Sequence, residues 1–275
     1  MPALGTGKVI ASKSRKLKKG SRVVGMLGAQ SLARVDASAL QAGATLPGTR
    51  PSDSLGRMGI SGLTAYIGVA AVLGPPKRGQ VVVVSAAASA VGSLAAQIAK
   101  ARGARVLGVA GGEEKCRYLT ERLGLDGAID YKSTSRSLAE QLDTLAPDGV
   151  DFFFDNAGGP ILDAVLARLR LHARVVVCGG IHHYDAGAQN KGTVRGPSDY
   201  LKLAEKSSVM RGFNVMHYLP NKLPAFLLNM LWLIWRGKLV MDEHVEEGIG
   251  SFAAAMEMMY RGGHVGKLLV NVSNE

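Results

Sequence analysis

The chain has 275 residues, 47% of them apolar and 35 of them glycine, which is enough to bury a sizeable core and fits a folded α/β protein. Only two cysteines occur, Cys116 and Cys178, far apart in sequence; this excludes a disulfide scaffold and suits a reducing, cytoplasmic compartment. Thirty-three basic against 22 acidic residues leave a net charge of +11.

Much of that excess lies before the first acid, Asp36, in Lys8, Lys13, Arg15, Lys16, Lys18, Lys19 and Arg22. A nucleic-acid-binding arm, an Arg/Ser-rich transit peptide and a solvated hairpin compete here. The hairpin is favoured, because LKKGSRVVGM reads as a turn followed by a strand and no aromatics interleave with the charges. No nucleic-acid partner is expected. Up to residue 65, glycine-rich turns and short apolar stretches such as 23–27, with no long helical period, predict β structure.

Residues 81–112 carry the strongest signal: VVVVSAAASAVGSLAAQIAKARGARVLGVAGG reads as strand, small-residue loop, helix and second strand. Four valines in a row suit a parallel strand buried on both faces. Val91, Leu94, Ala95 and Ile98 follow helical spacing. The loop has no large side chain, so a backbone cradle can approach a pyrophosphate at the positive end of the helix. Gly92 stands where the dinucleotide fingerprint has its last glycine, but Ser89 occupies the middle glycine position. A plain α/β turn is the competing reading of this loop alone.

The second strand, 105–110, ends in Gly111-Gly112 without the acid that holds the ribose of NAD, and Lys115 and Arg117 follow. This pattern points to NADP(H). Lys115 by itself reads equally as a solvated lysine; the glycine pair before it favours the phosphate ligand.

Beyond this unit, 113–123 reads as helix and 128–129 as a short strand ending at Asp130-Tyr131. Residues 137–145 read as helix, 150–155 as a buried strand, 161–169 as helix, and 174–178 as a strand before Gly179-Gly180. The alternation predicts a doubly wound parallel sheet with ligands at the carboxyl ends of its strands. The run LPAFLLNMLWLIW, 223–235, is too short to span a bilayer and reads as a buried or interface helix. A membrane-surface helix ranks second, since only Lys222, Arg236 and Lys238 supply flanking charge, and no membrane partner is expected. A helix at 252–260 and a strand GKLLVNV close the chain. His182-His183 is only an adjacent pair and no Cys/His cluster has zinc-ligand spacing, so no metal is expected.

In order, LGRMGISGLTAYIGV (55–69), SAAASAVGSLAAQIAK (85–100), GVAGGEEKCRYL (108–119), DYK (130–132), FDNAGG (154–159), CGGIHHY (178–184), MRGF (210–213) and GKLLV (266–270) resemble the zinc-free medium-chain dehydrogenase/reductases. The prostaglandin reductase/alkenal reductase branch is the nearest in motif. The resemblance implies a Rossmann sheet at 66–238, a partial GroES-like substrate domain at 1–65 and a return to it at 239–275. It implies that Ala90, Val91, Gly92 and Ser93 hold the pyrophosphate, Lys115 the 2′-phosphate, Tyr131 the adenosine half and Asn156 the bridge. Cys178, Gly179, Gly180, Ile181, His182, His183 and Tyr184, with Phe213, Asn214 and Val215, would line the nicotinamide side. Taken singly, Tyr131 reads as a strand-end packing residue, Phe213 as core, Asn156 as a turn residue and Tyr184 as a surface aromatic; the ordered set of motifs favours ligand contact for each. Ser89, Ser61 and His264 depart from the family pattern; His264 stands where an asparagine is expected to contact the carboxamide. The implied activity is NADPH-dependent reduction of the C=C bond of an enone or enal, with Tyr66 and Tyr218 as hydrogen-bond donors to the carbonyl oxygen. The alternatives are quinone reduction and a non-catalytic NADPH-binding remnant. Family members pair through the cofactor domain, which implies a homodimer.

Overall fold

A computed structural model describes residues 1–43, 48–180 and 196–272. Strands β1 (Leu4–Lys8), β2 (Arg22–Met26) and β3 (Gln41–Ala42) form an antiparallel sheet of their own. Helix α1 (Ile60–Ala70) leads into the alternating segment. There follow β4 (Val81–Val84), α2 (Ala90–Ala101), β5 (Arg105–Ala110), α3 (Glu113–Arg117) and β6 (Gly127–Asp130). The second half has α4 (Leu138–Leu145), β7 (Val150–Asp155), α5 (Gly159–Leu166), β8 (Leu169–Val177), α6 (Leu201–Glu205), β9 (Val209–Gly212) and α7 (Leu219–Trp235). Strands β10 (Glu243–Glu247) and β11 (Lys267–Asn271), paired in parallel, flank α8 (Phe252–Arg261).

The six strands β4 to β9 pair in the order β6-β5-β4-β7-β8-β9, all in parallel. The order reverses between β4 and β7, and ligands of such sheets bind at that switch point. The four valines of β4 explain why the sheet is covered on both sides. Val82 and Val84 join Phe152, Phe154, Leu94, Ile98, Phe226 and Met230 in one core. Val81 and Val83 join Phe153, Leu107, Ile129, Leu142 and Leu166 in the other.

Several elements differ from the sequence expectation. The expected helix 113–123 is an α-turn that widens into a π-turn at Tyr118–Arg122. Helix α5 starts at Gly159, because Gly158 and Gly159 take φ +70° and +56° and turn the chain into it. Strand β8 begins at Leu169, with a register shift before Arg174. Helix α7 is not wholly buried: Phe226, Met230 and Leu233 pack inward, whereas Leu228, Trp232 and Trp235 face solvent.

Residues 239–242 are stitched to three distant parts of the chain. Arg57 donates to the Leu239 carbonyl, Gln97 exchanges hydrogen bonds with the Val240 backbone, and Arg50 donates to the Met241 carbonyl. Arg122 makes a two-pronged contact with Asp242. Buried Asp53 organises two of these donors. It accepts from Arg57 at 2.8 and 2.6 Å and from the Arg50 N–H at 2.7 Å. Burial raises its pKa, but the Arg57 guanidinium and the Arg50 contacts outweigh it and hold the carboxyl below its ordinary range.

The folded-state pKa of Asp53 is therefore below the unfolded value of about 3.9, so its stabilisation is present above that value and lost as pH falls through the folded pKa. We expect Asp53→Asn to lower stability at pH 7 by about 3 kcal/mol, because Arg57 is left as an unpaired charge in a site where it is largely enclosed. The difference between variant and parent in urea unfolding shrinks below pH 4.

Candidate active site

The loop after β4 is short of glycine and yet turns tightly from the strand into a capped helix. Ala86 takes φ +48°, the left-handed region that favours glycine. Ser89 is the N-cap of α2: its backbone is extended and its hydroxyl accepts from the Gly92 N–H at 3.2 Å. No glycine is required there. A Cβ on Gly92 would lie 2.2 Å from the Ala86 carbonyl oxygen, which explains why this position has none. The Ser93 N–H donates to the Ser89 carbonyl, whereas the N–H of Val91 has no partner among the described residues and opens the first turn of α2. From the other side the Gly266 N–H donates to the Ala88 carbonyl, so the C-terminal segment closes against this loop.

Ser85 and Asp155, both fully buried, join the tips of β4 and β7. The Ser85 hydroxyl donates to the Asp155 carboxylate at 2.8 Å and accepts from the Asn156 and Ala157 N–H groups. Asp155 also accepts from the Ala157 and Gly158 N–H groups, and its carbonyl accepts from those of Cys178 and Gly179. The Asn156 amide donates to the Ser85 carbonyl. Three strand tips are thus fixed around one switch point. Sequence reasoning singled out Asn156 but passed over Ser85 and Asp155; the signal was an acid directly after three phenylalanines at the end of the strand VDFFFD.

At the tip of β5 the Tyr131 ring lies over Gly111, where a Cβ would come within 2.7 Å of it, and Lys132 lies 6.0 Å from the ring centroid. Asp130 accepts from the Gly112 and Lys132 N–H groups. Lys115 donates to the Gly262 carbonyl at the end of α8. Burial, then the nearby Lys132 charge, lowers the Lys115 pKa. His264 is lowered by burial and then by Lys115, His244 and Lys267, and its Nδ1 is buried without a partner in the described chain. The structure therefore gathers Lys115, Tyr131, Lys132 and His264. His264 is set at this basic end, beside Lys115 and Lys267.

Those three residues follow β9 directly. The Phe213 ring packs against α1 at Gly68 and edge-on to Tyr218, 6.2 Å between centroids. Asn214 caps the short turn before Tyr218 by accepting from the Met216 N–H. Cys178, Gly179 and Gly180 continue β8 at the same rim. Ile181, His182, His183 and Tyr184 lie outside the described residues. Burial, then Asp155, pushes the Cys178 thiol up to about 12; burial, then Asp130, pushes Cys116 to about 11.

Tyr66, expected at the reacting end, is not brought to the rim. Its ring packs edge-on against Phe226 and its hydroxyl accepts from Asn229 at 3.4 Å. It lines a groove with Ile98, Ala101 and Arg102 at the far end of α2, about 15 Å along the helix from Ala90. Among the described residues no group of three or more His, Cys, Asp or Glu is placed to hold a metal.

Two outcomes follow from this geometry. Ser85→Ala leaves two N–H groups and a buried carboxylate short of a partner, and should cost about 2 kcal/mol of stability in urea unfolding. Both thiols should resist iodoacetamide at pH 8 in the folded protein and react once it is unfolded.

A zinc-binding dehydrogenase family model matches residues 90–231. The chain is 42% identical to the putative NADP-dependent oxidoreductase YfmJ of Bacillus subtilis (strain 168), over 96% of this chain and 76% of that protein. It is 36% identical to the 2-alkenal reductase (NADP(+)-dependent) of Nicotiana tabacum, over 98% of this chain and 77% of the other. The crystal structure of CurA from Vibrio vulnificus in complex with NADPH superposes with a TM-score of 0.90 at 33% identity, covering 100% of this chain and 80% of that one. The chain belongs to the zinc-binding dehydrogenase family and, within the medium-chain dehydrogenase/reductases, to its zinc-free reductase branch.

Proposed function

We propose that this protein is an NADPH-dependent reductase of the C=C bond of α,β-unsaturated ketones and aldehydes. The observation that carries the reading is the likeness, over nearly the whole chain, to an enzyme named for NADP-dependent alkenal reduction. The rim supports it chemically. The open N–H of Val91 and the positive end of α2 suit a pyrophosphate. Lys115 and Lys132 lie close enough for one charge to depress the pKa of the other, an arrangement that an anion between them relieves. This is where the 2′-phosphate belongs, and the exposed Tyr131 ring offers a face to the adenine. The His264 Nδ1, buried without a partner in the described chain, keeps hydrogen-bonding capacity that a ligand could use.

Bound NADPH supplies a hydride to the β-carbon of the substrate. The chain's own task is to align the two reactants and to meet the negative charge that builds on the carbonyl oxygen. Phe213 and Val215, packed on the core, shield the nicotinamide side from water. Tyr218, held by Phe213 at the start of α7, is the hydroxyl we assign to the carbonyl oxygen and to protonation after hydride transfer. Cys178, kept as a neutral thiol, takes no part as a nucleophile.

With NADPH and an enal such as 2-nonenal, the nicotinamide absorbance should fall and the saturated aldehyde accumulate; cofactor binding without turnover overturns the reading. A naphthoquinone in the same assay should be the poorer acceptor. Lys115→Ala should weaken NADPH binding about thirtyfold by calorimetry and leave NADH binding unchanged, as loss of a charge-assisted contact requires.

A further inference from the structure

From Leu223 to Trp235 helix α7 has a single polar residue, Asn229, a composition that suits a helix covered on most of its sides. Only one side is covered. Phe226, Met230 and Leu233 are buried against α1 and the sheet, whereas Leu228 is 71% exposed, Trp232 50% and Trp235 83%. These three follow i, i+4, i+7 spacing and form one stripe on the outer face. Both tryptophans of the chain lie on it. Beside the stripe, Trp232 forms one wall of the groove of about 200 Å³ that also holds Tyr66, Ile98, Arg102 and Asn229.

The charges around this stripe have one sign. The Arg236 guanidinium lies over the Trp232 ring, 5.4 Å from its centroid, and Arg102 shares the groove. Lys222 and Lys238 are exposed at the two ends of the helix. No acid occurs in α7, and the next along the chain is Asp242. A second copy meeting the stripe across a twofold axis would bring two sets of Arg102, Arg236 and Lys238 into one interface with no carboxylate from α7 among them. Leucine offers nothing to a nucleic acid base, which stacks on aromatic faces. Tryptophan, leucine and flanking lysine or arginine on one helix face match the headgroup boundary of an anionic bilayer. The helix is not long and apolar enough to cross a membrane, so it would lie in the interface.

The geometry points to a peripheral membrane-docking surface on the outer face of α7, with anionic phospholipid as its occupant. The apolar stripe enters the acyl boundary and the basic rim meets the phosphates. The switch-point rim lies on the other end of α2 and stays accessible.

Because Trp232 and Trp235 are the only tryptophans, intrinsic fluorescence reads the surface directly. The full chain is mixed with vesicles of phosphatidylcholine containing about one third phosphatidylserine, and with pure phosphatidylcholine vesicles. Expected are co-flotation with the anionic vesicles only, a blue shift of tryptophan emission, and quenching by brominated acyl chains. Arg236→Gln and Lys238→Gln should each weaken binding about fivefold. Leu228→Ser with Trp235→Ser should abolish flotation while the thermal midpoint and NADPH binding hold, which separates this surface from the cofactor site. Absence of a shift with anionic vesicles, or equal flotation on pure phosphatidylcholine, overturns the proposal. So does a blue shift that follows protein concentration with a dimer in sedimentation equilibrium, or one produced by duplex DNA and not by lipid.

Discussion

Where the strand order reverses, the buried Asp155 carboxylate accepts from Ser85 and from the backbone of the glycine turn after β7, while its carbonyl receives the first N–H groups beyond β8. A parallel sheet has no hairpins to fix the relative height of its strand ends, so the tips of β4, β7 and β8 need such a side-chain tie. Everything proposed for the rim rests on those tips staying in register: the loop before α2, Asn156, and the Cys178–Gly180 turn. The tie also frees the loop from the usual glycine pattern. With the loop anchored from below, Ser89 serves as a cap, and only Gly92 must give way to backbone.

A second polar assembly holds the cofactor sheet to the segments on either side of it in sequence. Residues 239–242 receive or give hydrogen bonds to Arg57, Gln97, Arg50 and Arg122, three of which are cations reaching across more than a hundred residues. The segment ends where β10 pairs with β11, and β11 begins one residue after Gly266, the glycine that closes on the Ala88 carbonyl. His264 and Lys267 are thereby carried to the basic end of the trough. Burial lowers the pKa values of Lys115, His264 and Lys267, and for the first two the neighbouring cations add a like-charge cost. A phosphate-bearing ligand offsets it.

The chain's charge and apolar surplus sort to different places. The cations that line the trough are those proposed to meet a phosphorylated small molecule, and those around α7 border an open apolar stripe some distance away. The same sequence thus presents two electrostatically similar surfaces whose chemistry diverges because one is a backbone cradle and the other is aromatic.

The continuous valine run, the small-residue loop and the alternation of helix and strand followed from local chemistry, because a strand buried on both faces and a helix packed on it must have those patterns wherever they occur. The missing acid after β5 likewise could be read residue by residue. Element edges were less legible: β8 starts earlier and α3 breaks into a wider turn, since pairing with neighbours and not propensity sets those ends. The Ser85–Asp155 tie, the gathering of His264 with Lys115, and the removal of Tyr66 from the rim to a groove at the far end of α2 were decided only in three dimensions. Each depends on contacts between residues some 70 to 160 positions apart, and one-dimensional spacing carries no information about which of two helix faces, or which end of a helix, such a partner will occupy.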